Sequence, residues 1–183
     1  MSDLEHILAE KDRRFLDRLA RPLGENFVFR LGRSYYKFPN YPWFFFGNGV
    51  DPAAAMRRQV RLVSRRFGRY CRLARTVVVP YSEGYFLKQE TVEAEKISLD
   101  MIERDAKVRE AVSRLLSDND QLWEQHGYYL DMIGSEGFSD PSRLHNLLWD
   151  GERIVLFDFG MLNARSANPL FAAVSVALHE LQR

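Results

Sequence analysis

The chain has almost no cysteine. Of 183 residues only Cys71 carries a thiol, so no disulfide can form within it and nothing points to a fold stapled in an oxidising compartment. Long apolar runs are missing as well. Spanning a bilayer takes ~20 consecutive apolar residues, and no stretch approaches that length, so no membrane span is expected. The opening Met1-Ser2-Asp3-Leu4-Glu5-His6 is charged and lacks the apolar core of a secretory signal. A cytoplasmic location is the plain expectation, with delivery by a route that needs no cleaved signal left open. Low-complexity tracts and internal repeats are absent. The net charge is only +1, which makes nucleic acid an unlikely partner on global charge. Locally the balance is uneven: residues 52–82 hold no acid, yet they hold Arg57, Arg58, Arg61, Arg65, Arg66, Arg69, Arg72 and Arg75. The simplest reading is a solvated helix face whose stems lie on apolar neighbours. Binding of phosphate, nucleic acid or an acidic partner is the alternative.

What is present is core material. Hydrophobic residues make up 46% of the chain, with thirteen Phe, eight Tyr and three Trp, enough for one sizeable core and a single domain. Leu4, Ile7, Leu8, Phe15, Leu16 and Leu19 recur at helical spacing, predicting a helix over 2–20 that ends at Pro22 and Gly24. The runs 27–31 and 35–38 around Gly32 predict a β-hairpin, and 41–49 an aromatic loop. Pro52 opens a helix to 68 with Met56, Val60, Val63 and Phe67 on its buried side. Strands follow at 76–80 and 85–89. Helices are predicted over 97–116 and 121–133, the second burying Leu122, His126, Tyr129, Leu130 and Ile133, with a loop at Ser117-Asp118-Asn119-Asp120 between them. Asp150-Gly151 joins two strands, 147–149 and 154–157, and Asn168-Pro169 opens a last helix to about Leu181. The order implies α+β with a largely antiparallel sheet.

The sharpest segment runs from His145-Asn146 through Asp150-Gly151 to Asp158-Phe159-Gly160. A tight hairpin brings its two ends together, so Asn146 and Asp158 are expected side by side, both offering oxygen to a hard cation such as Mg²⁺. A hairpin merely capped by Asn and Asp is the bland reading.

This segment resembles the catalytic-loop and Asp-Phe-Gly region of protein kinases and the related aminoglycoside-type phosphotransferases, where an Asn and the Asp of Asp-Phe-Gly hold the metal ions that bridge the nucleotide phosphates. The resemblance implies a protein-kinase-like fold in a single domain over 1–183: a small antiparallel N-lobe sheet over about 1–90 and a reduced helical C-lobe over about 93–183. It implies ATP and Mg²⁺ as cofactors, with Asn146 and Asp158 as metal ligands. Lys37 would grip the nucleotide phosphates. Glu90-Thr91-Val92 would form the hinge, so that Glu90 and Val92 count among the nucleotide-binding residues. The helix at 52–68 resembles the family's C-helix.

Four departures qualify that picture. The family's catalytic Asp stands five residues before the Asn, whereas Asp140 stands six before Asn146; Asp140 either orients the acceptor hydroxyl from a bulged loop or caps a turn. His145 is an alternative proton acceptor. The C-helix Glu that would partner Lys37 is missing: Gln59 is its nearest analogue and cannot make that charged pair, so either another acid substitutes or the site is weakened. No glycine-rich loop precedes the first strand, and only 23 residues follow Gly160, too few for a full activation segment. Three functions fit. The first is a minimal kinase acting on a hydroxyl acceptor, a protein Ser/Thr or a small molecule. The second is a pseudokinase that binds nucleotide or protein without transfer. The third is a binder of nucleic acid or an acidic partner through the arginine helix.

Overall fold

The computed structural model describes residues 3–14, 25–134, 140 and 142–182. The architecture is α+β, with antiparallel pairing throughout except at one short junction. Helix α1 (Asp3–Arg13) leads to the hairpin β1 (Asn26–Leu31) and β2 (Ser34–Pro39), then a short helix α2 (Pro42–Phe46) and helix α3 (Pro52–Phe67). Strands β3 (Arg72–Leu73), β4 (Thr76–Tyr81), β5 (Gly84–Glu90) and β6 (Glu95–Ser98) follow. Helices α4 (Leu99–Arg104) and α5 (Ala106–His126) precede β7 (Tyr128–Leu130), β8 (Arg143–Trp149), β9 (Ile154–Leu156), β10 (Met161–Asn163) and helix α6 (Pro169–Gln182). The predicted extension of the first helix to residue 20, and its end at Pro22 and Gly24, lie outside the described residues.

The first sheet has the order β1-β2-β5-β4. Its aromatic face gathers Phe27, Phe29, Tyr36, Phe38 and Phe86, closed by Ile7 of α1; rings of this kind contribute about 2–3 kcal/mol each when fully buried. The second sheet, β3-β9-β8-β6, carries the Asp150-Gly151 hairpin, in which the Asp150 carboxylate accepts from the Glu152 and Arg153 N–H groups. Strand β3 runs parallel to β9. The main core lies between α3, α5 and this hairpin, with Val63, Phe67, Val108, Leu115, Ile97 and Leu156 completely sealed. Helix α3 starts where expected because Asp51 caps it, its side chain accepting from Ala53 and Ala54 N–H, with Pro52 in the first turn.

Three expectations are corrected. Residues 41–49 are not all loop: Pro42–Phe46 is helical, closed by Gly47 at φ 83° donating to the Trp43 carbonyl. Trp43 is 57% exposed, while Phe44 and Phe45 pack edge-on against Phe171. Ser117-Asp118-Asn119-Asp120 is not a loop but the middle of α5. These polar side chains serve the tertiary structure: Asp118 accepts from the Tyr70 hydroxyl and faces Arg66 and Arg69, and Asn119 is fully buried. Lastly, α5 ends at His126, which is exposed, because Gly127 takes the left-handed conformation (φ 71°) that closes a helix, and 128–130 turns into strand. Among the described residues no helix is long and apolar enough to cross a membrane.

Candidate active site

Asp158 leaves the end of β9 and is held by its own turn, the Gly160 N–H donating to its Oδ1 at 2.9 Å. Three donors from the other side grip the backbone around it. Lys37, central in β2 and paired across to Val28 and Leu87, donates from Nζ to the Phe157 carbonyl at 3.1 Å. That ammonium lies 4.9 Å from the Phe157 ring centre and 3.6 Å from Asp158 Oδ2. Gln89 of β5 donates to the same Phe157 carbonyl at 2.6 Å. Gln59 of α3 donates to the Phe159 carbonyl. So Gln59 does not stand in for a glutamate beside Lys37. It holds the Asp-Phe-Gly backbone, and Asp158 itself is the partner of the lysine, which is only 7% exposed. A cation that deeply buried requires such a counter-charge.

The second carboxylate is one that sequence spacing overlooked. Strands β7 and β10 pair, and the Asp131 N–H continues that ladder to the Gly160 carbonyl at 3.1 Å. Asp131 is thereby set opposite the Asp158 turn. Its Oδ1 accepts from Ile133 N–H, Gly134 N–H and the Gln182 side-chain amide. Asn146 joins the same place: its Nδ2 donates to the Asp131 carbonyl at 2.9 Å and its N–H to the Met132 carbonyl at 3.1 Å. Gly134 at φ 67° leaves room for that amide, since a Cβ there would lie 2.9 Å from Asn146 Oδ1. No hydrogen bond joins Asn146 to Asp158; both segments meet at Asp131. The legible signal was an apolar strand, Tyr129-Leu130, running straight into an acid ahead of a glycine. It was missed because Asp131 and Asn146 lie 15 residues apart.

Burial, followed by the charge of Asp158, raises the Asp131 carboxyl above its ordinary range, against the lowering effect of its hydrogen bonds. Glu25, at the entry to β1, is exposed as a residue, yet the protein around its carboxyl desolvates it. With the charges of Asp158 and Asp131 added, that pushes it up to about 7 from 4.5. A raised acid binds its proton more tightly folded than unfolded. Its contribution is therefore complete below about 4.5 and lost as pH rises through about 7. Glu25→Gln is accordingly expected to leave stability unchanged near pH 4.5 and to raise it at pH 8 by about 1 kcal/mol after solvent screening. Urea unfolding midpoints at the two pH values check this.

The charged groups among these open onto one cavity of about 640 Å³; Asn146 is not among the described residues lining it. Glu25, Lys37, Asp131 and Asp158 line it together with Phe44, Phe45, Phe171 and Leu178. The oxygen donors suit a hard cation. However, no group of three or more His, Cys, Asp or Glu able to hold a metal exists among the described residues, so phosphate oxygens would have to complete any shell.

The other predicted site residues lie elsewhere. Asp140 is folded into its own turn: it accepts from Ser142 N–H and hydroxyl, the latter bond foremost in holding its carboxyl below the ordinary range, and it pairs with Arg143 at 3.7 Å. It is not among the described residues lining the cavity. His145 is buried, with Nε2 2.8 Å from the Asp140 carbonyl oxygen and Nδ1 3.2 Å from Lys96 Nζ. Glu90 accepts from the Arg75 N–H and faces Arg72 at 3.9 Å. Neither Glu90 nor Val92 is among the cavity-lining residues. Comparison with known proteins brings no match to a family model, to a curated protein or to a solved structure.

Proposed function

We propose that the chain is an ATP- and Mg²⁺-dependent phosphotransferase of reduced protein-kinase type, acting on a hydroxyl acceptor. The observation that carries this reading is the pairing of Lys37 with Asp158 at 3.6 Å, on a strand and a post-hairpin turn that stand in kinase order, with Asp131 and Asn146 bonded together beside them. In this reading Lys37 steadies the nucleotide phosphates. Asp158 and Asn146 would hold the metal, which when bound neutralises phosphate charge. Asp131, rather than Asp140, receives the proton of the acceptor hydroxyl, because it lines the cavity with Asp158 and Asp140 does not. Burial raises its carboxyl above the ordinary range, which favours taking up a proton. The chemistry then rests on placement and charge neutralisation, which a small scaffold can supply.

A pseudokinase reading draws on one observation: Asp131 Oδ1 already accepts three hydrogen bonds, so one carboxylate oxygen is committed to structure. Thermal shift with ATP and Mg²⁺, followed by transfer of labelled γ-phosphate to water or a hydroxyl panel, tests both. Binding is expected to raise Tm by several degrees at saturating ligand, and Asp158→Ala to abolish the shift and the transfer together. Binding without any transfer favours the pseudokinase. A shift that survives in Asp158→Ala overturns the assignment of the site.

A further inference from the structure

The cavity is larger than the catalytic groups need. From the carboxylates it continues between α2, α3 and α6, where Phe44, Phe45, Met161, Phe171, Val174 and Leu178 form its wall. Two of the polar side chains there are occupied by the fold, while Arg58 and Arg165 also line the cavity. Ser166 Oγ donates to the Phe45 carbonyl and accepts from Asn168 N–H, and Asn163 Oδ1 accepts from Arg165 N–H. Along the wall itself the side chains of Phe44, Phe45, Phe171, Val174 and Leu178 offer no hydrogen-bond partner, so hydroxyls or amides lying against it would go unpartnered, at a cost for each. An aliphatic or aromatic body incurs none. The whole cavity, its carboxylate end included, is about 640 Å³, within the range of sites for small organic molecules. Trp43 and Leu170, next in the chain to Phe44 and Phe171, are 57% and 63% exposed.

We infer that the acceptor of the proposed transfer is an amphiphilic alcohol. Its hydroxyl lies at Asp131, its apolar body lies along Phe44, Phe171, Val174 and Leu178, and any longer tail emerges over Trp43 and Leu170. This inference rests on the phosphotransferase reading for the word acceptor, but the apolar subsite stands without it. In the transfer, the hydroxyl oxygen bonds to the γ-phosphorus, the bond from that phosphorus to the β,γ-bridging oxygen breaks, ADP leaves with the electron pair, and the hydroxyl proton passes to Asp131.

The test is calorimetric binding of 1-O-alkylglycerols with six-, eight- and ten-carbon chains, below their micelle concentrations and without nucleotide. Affinity is expected to rise about tenfold for every two methylenes, as burial of each methylene dictates. Val174→Trp and Leu178→Trp, which fill the cavity, are expected to lower affinity at least tenfold while leaving the shift with ATP and Mg²⁺ in place. Affinity independent of chain length in the wild-type protein overturns the inference, whatever the variants do. So does loss of the nucleotide shift in both filled variants, which would make the cavity the purine's. Alkylglycerol binding with no nucleotide binding would sink the phosphotransferase reading and leave the subsite standing; the converse would sink the subsite alone.

Discussion

Asp131→Asn is expected to lower the rate of phosphoryl transfer by about 10²- to 10⁴-fold, the usual range for removing a positioned proton acceptor, with the ATP- and Mg²⁺-dependent thermal shift retained. Asparagine keeps an oxygen for Ile133 and Gly134 N–H, so the turn over 131–134 survives and the change reads as chemistry rather than collapse. Asp140→Asn is the matched control. Because Asp140 is tied into a turn with Ser142 and Arg143, its replacement is expected to change the rate less than twofold. Single-turnover kinetics on the two variants separates them. If Asp140→Asn proved the crippled variant and Asp131→Asn the healthy one, the bulged-loop reading of the sequence would be right and the assignment from geometry wrong.

The largest stability effect is expected at Asn119. Its side chain, wholly buried in the middle of α5, donates from Nδ2 to the Leu130 carbonyl at 2.9 Å and accepts from the Leu130 N–H at 2.7 Å. Both backbone groups belong to a three-residue strand whose other edge pairs with β10. Asn119→Ala removes both partners at once and leaves a buried N–H and a buried carbonyl with nothing to bond. Each such orphan costs about 1–3 kcal/mol, so a loss of about 3–4 kcal/mol is expected. Asn119→Asp restores the acceptor but not the donor, and it buries a charge, so it should fare no better. Urea denaturation gives the answer as a lowered midpoint at unchanged slope. Because Leu130 immediately precedes Asp131, transfer activity is expected to fall in both variants even below the unfolding midpoint.

Much of the fold was legible because it is local. The hairpin around Gly32 pairs its two adjacent strands directly, and the start of α3 at Asp51-Pro52, the turn at Asp150-Gly151 and the opening of α6 at Asn168 rest on side chains bonding within a few residues of themselves. What misled was polarity used at long range. Asp118 and Asn119 read as loop residues, yet one meets Tyr70 and the other Leu130, contacts that no pattern along the chain reveals. The short strands β7 and β10 were missed for a related reason. Each has only three residues, too few to show a period, and each is made strand by the other. At the site, Lys37 was placed by the order of elements and Asp158 by the hairpin that ends in Asp-Phe-Gly, and the structure brings them together. The convergence of Asn146 with Asp158 was expected directly. The structure instead routes it through Asp131, whose distance in sequence from Asn146 hid it behind the nearer Asp140.

The three donors on the Phe157 and Phe159 carbonyls also bear on how the molecule can move. Lys37 and Gln89 come from the first sheet and Gln59 from α3, while the carbonyls extend the second sheet. Rocking of one sheet against the other would have to strip donors from buried acceptors before it gained any opening. The Asp158 carboxylate therefore travels with Lys37 as one body. Whatever breathing admits a ligand has to be sought at the α2–α6 corner, where aromatic edges slide with less resistance than hydrogen bonds break.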